Sequence, residues 1–541
     1  MQPPYQPVEL ATGSTQHTAA TAEARKSPAG RRVPLLATAF AVPLYAVWAV
    51  WLATGGGDLA AQVAWARFVG TYPSAPYSFA WYGGVHVGNY SLLAPQLMAL
   101  GGVRGVSVVA GVGSAWAVAE VFVRCGVRRP LPPALLAVLA LWCDVASGRS
   151  TFALGVAFGL VACLALIGPS RRLVVAGGFA ALATLASPVA GLFLGVAGAG
   201  WLLDRRFAKG AVLCGPPALV VGLTALLFPF SGTMPMSDGD VWRPVLFAVT
   251  VALLAPRRWR AARRAAGVYA AGVLLTALVA SPVGSNVVRL AELFGPPVLL
   301  AALLEREVRA VRKVAFGLAL ALSAQWVGQH AVHVLRMSTP VPAWAAETDG
   351  VRAALGRLGA DRTRIEVVPA VDHRETTVLG PDLLLARGWN RQLDVARGPL
   401  FYDGSFSATA YRAWLGRWAV GYVVLPDGEP DWAAKDEAAL VRSGPGWLVP
   451  VWRDAHWRVY RVADAVPLVS GAGASVVRAD AAHLVVRTRR PGTVTVRVAP
   501  SPWLRSDAGC LARAGAWTRL TAPAAGTYRI SSSYLPPRQR C

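Results

Sequence analysis

Long apolar runs, each closed by a short polar or basic connection, fill roughly the first 60% of the chain. The first, Val33 to Thr54, holds about 20 residues, enough to cross roughly 30 Å of hydrocarbon. Others follow at Val103 to Val123, Leu131 to Ala146, Thr151 to Gly168, Leu173 to Leu185 and Val189 to Leu203. The series continues with Ala211 to Phe228, Val245 to Ala255, Ala266 to Ala280, Phe294 to Leu304 and Val314 to Val327. The pattern predicts about eleven membrane spans, the shorter ones tilted, broken or re-entrant. The leader Met1 to Arg32 is long, polar and rich in Pro, Thr and Ala, and no small-x-small cleavage site follows the first run. It is expected to be a disordered tail ahead of a retained signal anchor.

After Thr339 the spans stop and charges of both signs appear. Arg364 to Val368 and Val420 to Leu425 have the β-branched content of buried strands, and Ala408 to Trp418 the period of an amphipathic helix. These predict an α/β domain from about Ala343 to Val462, within residues 339–465. Beyond a break at Val466 to Gly473, short alternating runs at Ser475 to Arg478, His483 to Thr488, Thr493 to Val498 and Gly526 to Ser531 predict a small β-sandwich over 466–541. The expected fold is therefore a polytopic α-helical membrane bundle, residues 33–338, followed by an α/β domain and a C-terminal β-sandwich serving as a lid or binding module.

Composition supports the membrane assignment. Of 541 residues 55% are apolar and only 15% charged, and the mean hydropathy is +0.44, too apolar for a water-soluble enzyme of this size. The net charge of +24 does not indicate nucleic acid, because much of it lies in every second short connection. Those clusters are Arg25, Lys26, Arg31 and Arg32; Arg124, Arg128 and Arg129; Arg171 and Arg172; Arg205, Arg206 and Lys209; Arg257 to Arg264; and Arg306 to Lys313. Alternate connections hold only Arg67, Arg149, Arg243 and Arg289. The positive-inside rule then places the N-terminus and these clusters on the cytoplasmic side, where the clusters meet anionic lipid head groups. The first loop, residues 55–90, and everything after His330 are expected to be extracytoplasmic. No zinc spacing, Walker loop or dinucleotide fingerprint is present. Cys510 and Cys541 are the two cysteines of the outer region, an oxidising compartment, and a disulfide between them is expected.

Candidate chemistry concentrates in the first loop. Asp58 follows Gly55-Gly56-Gly57 and opens Leu59 to Val69, whose apolar faces suit a helix lying on the membrane surface. Asp58 suits either an N-cap or a base. Trp81, Tyr82, His86 and Tyr90 follow in a glycine-rich aromatic segment and suit either substrate contacts or an interfacial belt. Asn286 and Arg289 stand between two later spans. A guanidinium there requires a partner, either Glu292, head groups or a substrate phosphate. Asp144 is positioned to pair with Arg149, and Asp238 with Asp240 could hold a divalent cation, although a solvated turn is the commoner use. In the α/β region, Tyr402 and Asp403 combine an aromatic plane with an acid, a mixture suited to sugars and equally to docking one domain on another.

The segments GGGDLAAQVAWARF, WYGGVHVGNYSLLAP, SPVGSNVVRLAELFGPP, LLLARGWNRQLDVARGPLFYDG and VGYVVLPD with VWRDAHWRVYRV carry a resemblance to the GT-C superfamily of membrane glycosyltransferases. Within it the chain looks like an actinobacterial and YfhO-like branch. The resemblance implies a many-span bundle with a large first outer loop carrying an essential acid, here Asp58, and a C-terminal outer domain. It implies transfer of a sugar from a polyprenyl-phosphate carrier to an envelope glycan or protein acceptor, with Asp58 as general base. Trp81, Tyr82, His86, Tyr90, Asn286, Arg289, Tyr402 and Asp403 would then contact substrate. The acid here is a single Asp, where the superfamily motif has an adjacent pair. The number of spans alone equally allows a transporter or flippase, and the outer domains a non-catalytic envelope assembly protein.

Overall fold

A computed structural model of the chain describes residues 28–169, 172–380 and 382–535. Arg25, Lys26, Arg171, Cys541 and most of the expected tail lie outside the described residues. Each of the eleven apolar runs falls in a helix: α1 Pro28–Val47, which continues through a wider turn to Leu52, then α4 Val103–Arg124, α5 Leu131–Ala146 and α6 Ser150–Ile167. Next come α7 Leu173–Ala186, α8 Pro188–Leu203, α9 Phe207–Leu227, α10 Asp238–Leu254, α11 Arg260–Leu278, α12 Arg289–Leu303 and α13 Ala310–Ser338. Two more, α2 Asp58–Thr71 and α3 Ala94–Gly101, belong to the first loop. Among the described residues six helices are long and apolar enough to cross a membrane: Arg31–Leu52, Val103–Arg124, Ser150–Ile167, Phe207–Leu227, Gly284–Leu303 and Ala310–Ser338. The first helix begins at Pro28, inside the stretch expected as tail.

Small residues let the helices close on one another. Gly155 of α6 faces Ala183, Ser187 and Ala190, so any side chain there would collide with α7 and α8. Gly111 of α4 leaves room for the buried ring of Tyr45 on α1. Large apolar side chains such as Leu35, Val50, Trp51, Leu226, Leu278 and Val311 remain exposed on the outside of the bundle, as a lipid-facing surface requires.

Helix α2 does not lie with one face on a membrane. Its apolar residues recur on all sides, and Leu59, Ala60, Ala61, Trp65, Ala66, Phe68 and Val69 are all buried. A helix apolar all round is driven to the interior. Leu59 joins the core of the bundle, while Trp65 and Phe68 join a core shared with the α/β domain.

Within the first loop β1 Tyr77–Ser78 and β2 Val85–His86 form a short antiparallel pair, and the α/β domain carries a sheet of five further strands. Its strands are β3 Arg364–Val367, β4 Leu384–Leu385, β5 Val420–Pro426, β6 Leu448–Arg453 and β7 Trp457–Val462. β3 runs parallel to β4 and β5, and the β6–β7 hairpin is antiparallel. The C-terminal region forms two four-stranded antiparallel sheets, which share one core of Val486, Val494, Val496, Leu520, Tyr528 and Ile530. The first loop reaches both parts. Tyr77 and Phe79 enter the core between the two sheets, and the Leu385 amide donates to the Ala80 carbonyl at 2.7 Å. Cys510 is disulfide-bonded; its expected partner, Cys541, is outside the described residues.

Candidate functional site

The three glycines before Asp58 pass close to Arg374 and Ser338. A Cβ on Gly56 would sit 2.6 Å from the Ser338 carbonyl oxygen and 2.8 Å from Arg374 Nη2, and Gly55 and Gly57 hold φ of +95° and +64°. Only glycine meets both demands at little cost. Arg374 is buried and donates to the Thr54 carbonyl at 2.6 Å, Thr54 Oγ1 at 2.8 Å and the Ser338 carbonyl at 2.7 Å. Its charge is balanced by Asp372 at 2.9 Å. The turn is pinned again where the Gly57 amide donates to the Asp372 carbonyl at 2.7 Å. Gly57 occupies the N-cap position and Asp58 is the first residue of α2, so the side chain does not cap the helix. The helix dipole still favours a carboxylate there.

The turn between α5 and α6 presses on this acid. Gly148, with φ of +80°, is so close that a Cβ on it would lie 3.2 Å from Asp58 Cβ. Arg149, the next residue, donates to Glu292 Oε2 at 2.6 Å, meets Asp144 Oδ1 at 3.5 Å and has His330 Nε2 at 3.0 Å. Asp144 and Glu292 are buried. Glu292 is therefore taken by Arg149, which leaves Arg289 without it. Arg289 rests over the Phe152 ring at 5.3 Å and makes no hydrogen bond or ion pair among the described residues. Asp58 has none there either. The two lie in one electrostatic neighbourhood, for the charge of Asp58 acts on Arg149, Arg289, His330 and Tyr90. Tyr90 completes the wall through a chain in which Gln62 bridges its hydroxyl to Thr151.

Of the residues singled out in the sequence, Tyr90 and Arg289 thus gather around Asp58, and Asn286 is buried in the short helical turn Gly284–Val288 that leads to Arg289. The other aromatic candidates are committed elsewhere. Trp81 packs edge-on against Trp65 at 5.2 Å. Tyr82, fully buried at φ of +55°, has a hydroxyl that donates to the Gly388 carbonyl at 2.8 Å. His86 is buried beside Ser501, its Nε2 and the hydroxyl 2.9 Å apart, and burial followed by the charge of Arg397 lowers its pKa to about 4. These three fasten the loop to the α/β domain and the C-terminal sheets. They are neither an interfacial belt nor part of the cluster.

Tyr402 belongs to a network inside the α/β domain. Its hydroxyl donates to Asp394 at 2.5 Å and accepts from Arg391 at 2.9 Å, while Arg391 holds Asp431 through two contacts of 2.9 Å. Asp403 is exposed and closes a turn on Ser405. Asp240 accepts from the Ser237 amide and hydroxyl in a capping box at the start of α10. Among the described residues no group of three or more His, Cys, Asp or Glu is placed to hold a metal ion. Glu292 and His330 are the members of the cluster that sequence reasoning missed as site residues.

No family profile and no curated protein matches the chain. Among solved structures it is similar to the arabinofuranosyltransferase AftD from Mycobacteria, at 14% identity over 93% of this chain and 57% of that one, with a TM-score of 0.46. A mutant form of the same enzyme gives 14% identity over 93% and 60%, with a TM-score of 0.44. The chain spans less than two thirds of that enzyme's length.

Proposed function

We propose that the chain is a GT-C-type membrane glycosyltransferase that moves a sugar from a polyprenyl-phosphate carrier to an envelope glycan or protein acceptor. On this reading the eleven bundle helices are the spans. The N-terminus is cytoplasmic, and the α/β and β-rich domains lie outside the plasma membrane. The observation that carries the proposal is that a carboxylate, Asp58, and a guanidinium, Arg289, neither held in an ion pair among the described residues, share one electrostatic neighbourhood at one end of an apolar bundle.

Transfer to a hydroxyl requires removal of its proton as the new C–O bond forms, and loss of an anionic phosphate as the old one breaks. Asp58 would take the proton, a role open to a carboxylate with no standing hydrogen bond. Arg289 would meet the charge growing on the departing phosphate. Arg149, held by Glu292 and Asp144, would keep the turn against α2 and so fix the direction of Asp58. His330 and Tyr90 would line the approach.

The test is Asp58→Asn, assayed for sugar transfer in membranes at matched expression. Loss of a general base predicts a fall of roughly 10²- to 10⁴-fold. Unchanged transfer removes the central residue of the proposal.

A further inference from the structure

A second cleft, of about 440 Å³, opens on another side of α2 from Asp58. It is lined by four arginines, Arg67, Arg104, Arg352 and Arg374, and by no acidic side chain. Arg374 is neutralised by Asp372. The other three have no carboxylate partner among the described residues. Arg104 grips the Ala53 carbonyl at 2.6 and 3.0 Å, Arg67 reaches only the Thr377 carbonyl at 3.3 Å, and Arg352 makes no hydrogen bond or ion pair there. Three unneutralised guanidinium groups around one cavity repel one another, and an anion would relieve that repulsion.

The surroundings distinguish a lipid from a free ion. Ala53, just past the end of the first candidate span, and Val103, the first residue of α4, both line the cleft. Three residues or fewer along the chain from these two, Val50 and Trp51 are each 65% exposed and Leu100 is 87% exposed. A ligand with a phosphate for the arginines and acyl chains for these apolar side chains satisfies both surfaces at once. Inorganic phosphate satisfies only one.

We propose that this cleft holds the phosphate of an anionic membrane phospholipid, whose chains run down the outside of α1 and α4. The site is separate from the Asp58 cluster, since Asp58, Arg289 and Arg149 do not line it. The lipid would join the end of α1, where Arg104 holds the Ala53 carbonyl, to the α/β domain through Arg352.

The experiment uses the full chain, purified in detergent and depleted of lipid, with bound lipid counted by native mass spectrometry. Phosphatidylglycerol is expected to be retained and phosphatidylcholine not. The double variant Arg67→Ala/Arg352→Ala should weaken phosphatidylglycerol binding roughly 30-fold, as loss of two arginines near a membrane surface predicts. A control, Arg442→Ala/Arg458→Ala, removes the same charge from exposed positions elsewhere on the α/β domain and should bind as the parent does. An equal loss in the control, or equal retention of both lipids, overturns the proposal in favour of diffuse charge. Displacement of the lipid by millimolar inorganic phosphate overturns the lipid assignment in favour of a free-anion site. Asp58→Asn should leave lipid binding intact, so failure here and failure of the transferase reading are told apart.

Discussion

The guanidinium of Arg374 holds the Thr54 carbonyl at 2.6 Å, so a residue of the α/β domain fixes the end of the first bundle helix across 320 residues of chain. The same side chain takes the Ser338 carbonyl at the end of α13. The ends of the first and last bundle helices are therefore tied at one point, beside the glycines that precede Asp58. Arg374→Ala leaves Asp372 buried without its partner and removes a donor from the Thr54 carbonyl and hydroxyl and from the Ser338 and Pro340 carbonyls. Breaking a buried pair from one side costs about 3–5 kcal/mol. The expected result is a large fall in the thermal unfolding temperature of the detergent-solubilised protein, together with loss of transfer because Asp58 is no longer held.

Arg149 and Glu292 form the equivalent tie within the bundle, at 2.6 Å. Arg149→Ala should destabilise by about 3–5 kcal/mol, because it strands two buried carboxylates, Asp144 and Glu292. Replacing both partners at once, as Arg149→Met with Glu292→Leu, should recover part of that loss, since the apolar pair carries no desolvation penalty. A double-mutant cycle on thermal unfolding measures the coupling. If the double variant is no more stable than Arg149→Ala, the ion pair is not what holds this turn.

The α/β domain should be most stable in a bounded pH window. Burial alone would lower the pKa of His373, but pairing with Asp431 and Glu375, at 3.6 and 3.5 Å, outweighs it and raises the group from 6.5 to about 9. A raised histidine contributes stability that is complete below about pH 6.5 and is lost as pH rises through about 9. Asp431 is shifted the opposite way. Burial would raise it, but His373 and Arg391 hold it well below the ordinary carboxylate value, so its contribution is present above about pH 4 and is lost as pH falls. The shift on His373 corresponds to roughly 3 kcal/mol at most. Unfolding followed from pH 5 to 10 should show an alkaline limb that His373→Gln flattens. An unaltered limb in that variant would mean that another group governs it.

How much of this was legible in the sequence depends on distance along the chain. The apolar runs gave the bundle helices because hydrophobic length is a local property, and β3, β5 and the strand from Gly526–Ser532 lie within a residue or two of their expected places for the same reason. Asp58 stood out because the glycines before it are adjacent. Why they are glycines was hidden, since Arg374 lies 320 residues from Thr54. Arg149 could be matched with Asp144, five residues away, but Glu292 and His330 are 143 and 181 residues from it, and no spacing rule links them. Tyr82 and His86 stay open to two readings in the sequence, because aromatic and imidazole groups suit a sugar site and a buried interface equally. Burial, which decides between the two, is not written in the local pattern.

Arg289 separates a role in transfer from a role in stability, because its side chain has no hydrogen bond or ion pair among the described residues to lose. Its one ring contact among the described residues is with Phe152 at 5.3 Å, worth about 0.5–2 kcal/mol. Arg149 repels it, while Asp58, Asp144 and Glu292 attract it. Arg289→Ala should therefore shift unfolding only slightly in either direction. If Arg289 meets the leaving phosphate, the same change should lower the rate of transfer about 10²- to 10³-fold, the usual loss when one group stabilising developing charge is removed. Arg289→Lys keeps the charge without the planar fork and should recover part of the rate. Substrate concentration should be raised to saturation in each case, since charge that develops only as the bond breaks appears in kcat and not in KM. A fall in KM affinity alone, with kcat intact, would make Arg289 a ground-state anchor for the carrier, and a fall in unfolding temperature matching Arg149→Ala would make it part of the bundle's framework.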